Sequence, residues 1–257
     1  MVKSRDISSF DDAVKYVKTG VEAGDPTVIG ILVALCVVLF TIVLLAFLKG
    51  RKNARQAVLL LGTCDSGKTS LFCKLVHGEV KTTYTSIKEN VGSYKVENKN
   101  KVLQILDLPG HERLRVQSLE NHKRSARGIV FVIDGAAFQK EIKEVADYLY
   151  LILSDGVLSG NSPPILIACN KQDQTLCKGA KVIKSQLEKE INTQRVTRSA
   201  ALQGTDNTAN NNTFLGMRNK DFEFSDLKPF KVEFAECSAL GKGNGLSDVE
   251  EWIEKIA

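Results

Sequence analysis

The chain has 257 residues and a net charge of +5, room for one membrane element and one domain of about 200 residues but not for several domains. The positive charge is mild and forms no long basic run with interleaved aromatics, which argues against a nucleic-acid surface. Six cysteines without a CxxC pair indicate reduced thiols in a cytosolic domain rather than a disulfide framework.

Residues 1–26 mix Lys3, Arg5, Asp6, Asp11, Asp12, Lys15 and Lys18 with few apolar side chains. This segment is too long and too acidic for a signal-peptide n-region and is expected to be retained. Its trace of Phe10, Val14, Val17 and Val21 fits a short helix or a loose tail equally. Val2 speaks against N-myristoylation, and Glu254-Lys255-Ile256-Ala257 offers no prenylation site. Attachment to a membrane is expected instead from 27–48, twenty-two residues without a charge. As a helix rising ~1.5 Å per residue this stretch spans ~33 Å, enough for a hydrocarbon core of ~30 Å. Lys49, Arg51, Lys52 and Arg55 crowd the linker at 49–56, while Glu22 and Asp25 lie at the other end. That asymmetry predicts an N-terminus facing away from the cytosol and a cytosolic domain at 57–257.

Within 57–257, Ala57-Val58-Leu59-Leu60-Leu61 is an apolar run suited to a buried parallel strand, and Ser70–Val76 continues as a helix. Between them, Gly62-Thr63-Cys64-Asp65-Ser66-Gly67-Lys68-Thr69 fits the spacing G-x-x-x-x-G-K-[ST]. Glycines let the backbone wrap a phosphate, successive N–H groups face the anion, Lys68 reaches the β and γ oxygens, and the Thr69 hydroxyl serves Mg²⁺. Further strands are expected at 91–96, 101–106, 128–134, 164–169 and 230–234, with helices at 138–153 and 246–256. The alternation predicts an α/β fold, a mostly parallel sheet with helices on both faces, preceded by one transmembrane helix. The stretch 199–220, rich in Asn, Thr, Ala and Gly, is expected to be a mobile polar insertion, removable from 203 to 219 without loss of ligand binding. Asn211-Asn212-Thr213 matches the glycosylation sequon, which cytosolic placement makes irrelevant.

Three motifs follow predicted strands, where α/β sheets bind ligands. In Asp107-Leu108-Pro109-Gly110 the aspartate can hold Mg²⁺ through water and the Gly110 N–H can reach a γ-phosphate. In Asn170-Lys171-Gln172-Asp173 the aspartate can accept guanine N1–H and N2–H while the lysine stem covers the base, and adenine would leave that carboxylate unpaired. In Cys237-Ser238-Ala239-Leu240 the Ala239 N–H can meet guanine O6. Ser199-Ala200 is the rival for that role, and Ser238-Ala239 is preferred because a strand precedes it and a helix follows.

Together these motifs resemble the Ras-like small GTPases over 57–257, so the resemblance implies a P-loop small-GTPase fold binding GTP and Mg²⁺. The segment Lys81-Thr82-Thr83-Tyr84-Thr85-Ser86-Ile87 stands where the Arf branch has its first switch. By that resemblance Thr83, Tyr84, Thr85 and Ser86 close on the nucleotide, Ser70 follows the phosphate loop onto it, and Thr85 joins Thr69 and Asp107 at the metal. His111 occupies the position of the water-orienting glutamine and, with Lys68, is the candidate catalytic group. Arg113 and Arg115 are expected to be solvated or partner-facing, so unassisted hydrolysis should be slow, ~10⁻⁴ s⁻¹. The anchor, 107–112, 168–173 and 195–201 resemble one membrane-anchored family in particular, the smaller subunits of a receptor in the endoplasmic reticulum membrane. That resemblance implies a GTP-bound state that holds the receptor's α subunit so that ribosomes dock at the translocon. The alternatives are an Arf-type coat-recruiting GTPase, which the permanent anchor opposes, and a static GTP-bound anchor.

Overall fold

The computed structural model describes residues 19, 23–24, 26–53, 55–79, 83–96, 99, 101–201, 214–241 and 245–257. Most of the stretch 10–21, for which a short helix and a loose tail are both open, the first residues of the 81–87 segment, most of the 97–100 turn and residues 202–213 lie outside them. Two compact units are present, Met1–Ala54 and Arg55–Ala257.

The first unit contains helix α1, Pro26–Asn53, of which Pro26–Leu44 has a mean hydropathy of 3.1 and is long and apolar enough to cross a membrane. Its apolar side chains Ile31, Val33, Leu35, Val37 to Phe40 and Ile42 to Leu44 are exposed. The hydroxyl of Thr41, polar in an otherwise apolar run, donates to the Val38 carbonyl at 2.8 Å, so it needs no water.

The second unit is built on strands β1 (Ala57–Leu61), β2 (Asn90–Val96), β3 (Lys101–Asp107), β4 (Ala126–Asp134), β5 (Ile165–Asn170) and β6 (Val232–Glu236). They form one sheet in the order β2-β3-β1-β4-β5-β6. Only the β2–β3 pair is antiparallel. The helices are α2 (Lys68–His77), α3 (Glu112–His122), α4 (Phe138–Ser154), α5 (Gly156–Asn161), α6 (Ala180–Ala201) and α7 (Ser247–Ile256).

The continuous apolar runs follow from burial on both faces. Leu59, Leu61, Ile129, Phe131, Ile133, Ile165 and Ile167 point into one core with residues of α4 and α6. Their chain neighbours Val58, Leu60, Val130, Val132, Leu166 and Ala168 point into a second core under α2 and α7. The edge strand β2 instead alternates partly buried and exposed residues, as a strand covered on one face does.

Two expectations are corrected. The last strand is Val232–Glu236, two residues later than its alternating pattern suggests. Phe230 does not belong to it but fills the first core. The supposed insertion begins inside α6, and within its described end residues 214–216 are buried or half-buried while 217–220 are exposed. Leu215 is 3 % exposed and joins the first core. Buried Arg195 donates to the carbonyls of Leu215 at 3.3 Å and Met217 at 3.1 Å and to that of Lys220, with its guanidinium 4.9 Å from the Phe214 ring. One α6 side chain thus satisfies three carbonyls of a segment whose composition alone reads as solvated.

Candidate functional site

The strand ends β1, β5 and β6 carry loops that meet over one cavity of about 270 Å³, lined by Cys64, Asp65, Gly67, Lys68, Thr69 and Ser70, by Thr83 to Ser86 and Gly110, and by Asn170, Lys171, Asp173, Ala239 and Leu240. The loop after β1 folds as it does because two positions exclude side chains. Gly62 has φ 144° and a Cβ there would lie 2.2 Å from the Val132 carbonyl oxygen; Gly67 has φ 88° and its Cβ would lie 2.3 Å from Asn170 Nδ2. Gly67 opens α2 without a side-chain cap, so the first N–H groups of that helix remain for an anion.

Lys68, 6 % exposed, donates to the Thr63 carbonyl at 2.5 Å and lies 3.4 Å from Ser66 Oγ. Burial pulls its proton affinity down, opposed by the nearby Asp107 charge. A buried ammonium held by neutral oxygens suits an anionic ligand.

Asp107 is fully buried. Its Oδ2 accepts from Thr69 Oγ1 at 2.8 Å and Asn90 Nδ2 at 2.9 Å, while Oδ1 has no hydrogen-bond partner among the described residues. Burial pushes this carboxyl up, against the pull of the Asn90 and Thr69 hydrogen bonds. The hydroxyls of Thr69 and Ser86 are 3.0 Å apart, and those of Ser70 and Thr83 are 3.1 Å apart. Hard oxygen donors around one carboxylate fit Mg²⁺. Among the described residues no group of three or more His, Cys, Asp and Glu could hold a metal. Such a site therefore relies on ligand phosphates to complete the shell, as Mg²⁺ sites commonly do.

On the other side of the cavity, Asn170 ties two loops together: its Nδ2 donates to the Ser66 carbonyl at 2.9 Å, and its Oδ1 accepts from the Ala239 N–H at 3.0 Å. Lys171, with φ 65°, pairs with Asp134 at 2.6 Å, whose other oxygen accepts from the N–H groups of Ala136 and Ala137. Asp173 Oδ1 accepts from Ser238 Oγ at 2.5 Å, and that hydroxyl accepts from Gly241 N–H at 2.7 Å.

The family model "Signal recognition particle receptor beta subunit" matches residues 53–231. The chain belongs to that family. It is 48% identical over 256 residues to the mouse signal recognition particle receptor subunit beta, covering 97% of this chain and 94% of the relative. A solved structure of the mammalian SRP receptor is similar at TM-score 0.70 with 51% identity, over 78% of this chain and 100% of that one. A second, SRb-GDP-Mg from Chaetomium thermophilum, is similar at TM-score 0.62 with 25% identity, over 79% and 98%.

Within this β-subunit fold, the lining gathers most of the residues singled out from sequence. Thr63, Ser66, Asp107 and Ser238 lie outside it and bond the lining residues Lys68, Asn170, Thr69 and Asp173 in turn, and Gly62 lies outside it as well. Three placements differ from expectation. His111 is turned away: exposed and outside the lining, its Nδ1 accepts from Arg113 N–H at 3.3 Å and caps α3. Arg115, expected on the surface, is buried with its guanidinium 2.8 Å from Glu144 and 4.7 Å from the Tyr148 ring. The Ala239 N–H, expected to face a base, is taken by Asn170. Ser199 lies near the end of α6 and bonds the Val196 carbonyl, so Ser238-Ala239 is the pair at the cavity. Sequence reasoning passed over Asn90, Leu240 and Lys74, which lies 3.4 Å from the Ser238 and Gly241 carbonyls. Leu240 stands in the 237–240 motif without a role of its own there, and no motif marks Asn90 or Lys74, which only their strand and helix positions bring in.

Proposed function

We propose that this β-subunit family member binds GTP with Mg²⁺ in the described cavity, and that its GTP-bound form holds the receptor's α subunit at the endoplasmic reticulum membrane for co-translational targeting. The observation that carries the reading is the convergence of the phosphate loop, Asp107 and the 170–173 loop on one cavity. In it Lys68 and the first N–H groups of α2 hold phosphates. The Asp173 carboxylate, oriented by Ser238, accepts from the guanine N1–H and N2–H, and the Lys171 stem covers the base. Thr69, Asp107 and a hydroxyl from 83–86 hold the metal, Thr85 from the lining and Ser86 from its contact with Thr69. Bound Mg²⁺ neutralises phosphate charge. The GDP-Mg complex of the fungal relative supports this ligand set.

Residues 27–48 span the membrane in this reading, with 1–26 lumenal, 49–56 a basic linker and 57–257 cytosolic, in reach of a ribosome or translocon. Tyr84 and Ile87, 87 % and 76 % exposed beside the cavity, offer the α subunit an apolar contact that depends on how 83–86 is held. Hydrolysis is slow, ~10⁻⁴ s⁻¹ in scale, because Arg115 is committed to Glu144 and His111 to its helix cap.

The test is capture of the α subunit's N-terminal domain by the solubilised full chain loaded with GDP or a non-hydrolysable GTP analogue. Capture at least tenfold greater in the GTP state is expected, and Asp173→Asn should transfer that dependence to the xanthine nucleotide. Equal capture in both states would leave a static anchor.

A further inference from the structure

Asp107 is the one buried carboxylate at the cavity with an oxygen lacking any partner among the described residues, and the cause of that asymmetry lies on another strand. Asn90, the first residue of β2, pairs in register with Asp107, the last residue of β3. Across that pair its Nδ2 reaches Asp107 Oδ2 at 2.9 Å, the same oxygen that Thr69 already uses at 2.8 Å. A purely structural amide would gain more by satisfying Oδ1, since leaving a buried polar atom unpartnered is costly. Two donors on one oxygen instead fix the plane of the carboxylate and leave the other oxygen available. Asn90 and Asp107 are both absent from the lining of the cavity, so Asn90 acts from behind.

Its chemistry also suits the task. A lysine or arginine here would neutralise the carboxylate and repel a cation, whereas a neutral amide orients it with its charge intact. Asn90 Nδ2 lies 3.5 Å from Ser86 Oγ as well, so one side chain touches both the carboxylate and the segment 83–86.

We infer that Asn90 is a positioning residue for the metal: it orients Asp107 so that Oδ1 faces the cation, and it links the register of edge strand β2 to metal affinity. This rests on the GTP and Mg²⁺ reading above. Because β2 starts immediately after the exposed segment Ile87 to Glu89, anything that shifts that strand by two residues would withdraw the amide by about 7 Å and loosen the metal.

The experiment uses the solubilised full chain loaded with a fluorescent GDP. Its readout is the ratio of nucleotide release without Mg²⁺ to release in saturating Mg²⁺, together with the Mg²⁺ concentration giving half-maximal slowing. Asn90→Leu, which is close in size, neutral and without a donor, and Asn90→Ala are both expected to raise that concentration about 10- to 100-fold, the usual effect of removing a partner of a metal ligand. A change in release that leaves the ratio and the half-maximal concentration at their wild-type values would make Asn90 structural only and overturn the inference. So would failure of both variants to fold. If wild-type protein binds no GDP, or releases it without regard to Mg²⁺, the ligand reading itself fails and not merely the role of Asn90.

Discussion

At the scale of single residues, the thiols beside the 170–173 loop show how burial sets chemistry. Cys237 is 3 % exposed, and burial, aided by the Asp248 carboxylate, pushes its thiol from the ordinary 9.0 up to about 12. Burial pushes Cys169 up as well. The folded-state value lies above the unfolded one, so the stabilisation is fully present below pH 9 and is lost as pH rises toward 12. In that window each such thiol lowers stability by about 1.4 kcal/mol per pH unit. Urea unfolding at pH 8, 9, 10 and 10.5 should therefore show falling stability above pH 9, with a shallower fall in Cys237→Ala. Identical slopes for the two proteins would remove Cys237 as a cause. The same burial makes both cysteines poor nucleophiles, since little thiolate is present at neutral pH.

At the scale of elements, the segment after α6 is held by one residue of that helix. Arg195 takes the carbonyls of Leu215, Met217 and Lys220 and covers Phe214, and Leu215 enters the core beside Phe222 and Phe224. Leu215→Ala should lower stability by about 2–5 kcal/mol, the range for a buried leucine. Deletion of 203–219, which removes Leu215 and two of the Arg195 acceptors, should lower it at least as much. Thermal unfolding of the two variants decides: a deletion as stable as wild type would return the segment to a dispensable loop. Element α3 is fixed in a comparable way. Arg115 joins it to α4 through Glu144 and the Tyr148 ring, so the helix that follows Asp107-Leu108-Pro109-Gly110 is docked by a buried cation together with Leu119, which enters the first core.

At the scale of the molecule, the two compact units divide at Ala54. The second carries all six strands of the sheet, both cores and every residue lining the cavity. A protein lacking 1–54 should therefore be soluble, melt cooperatively and bind GDP with an affinity within about threefold of the full chain, because among the described residues neither core of the sheet includes one from 1–54. Calorimetry of both forms, with and without GDP, measures this. Aggregation or a non-cooperative melt of the shorter form would show that the domain depends on its anchor.

Much of this was legible in local sequence. The apolar helix that includes Pro26–Leu44, the apolar runs of β1 and β5 and the spacing of Gly62, Gly67, Lys68 and Thr69 are short-range features, written by solvation and backbone sterics over a few residues. The same holds for the motifs at 107–110 and 170–173, each placed by the strand before it. What the tertiary structure alone decided are contacts between distant parts of the chain. Asn170 meets Ser66 across 104 positions and Ala239 across 69. Asn90 meets Asp107 only through strand register, and no periodicity marks it. Arg195 fastens the described end of a polar stretch through three of its carbonyls. Such side chains carry no local pattern, because their partners are chosen by the order β2-β3-β1-β4-β5-β6. That order depends on burying both faces of the sheet at once, a requirement of the whole chain rather than of any segment.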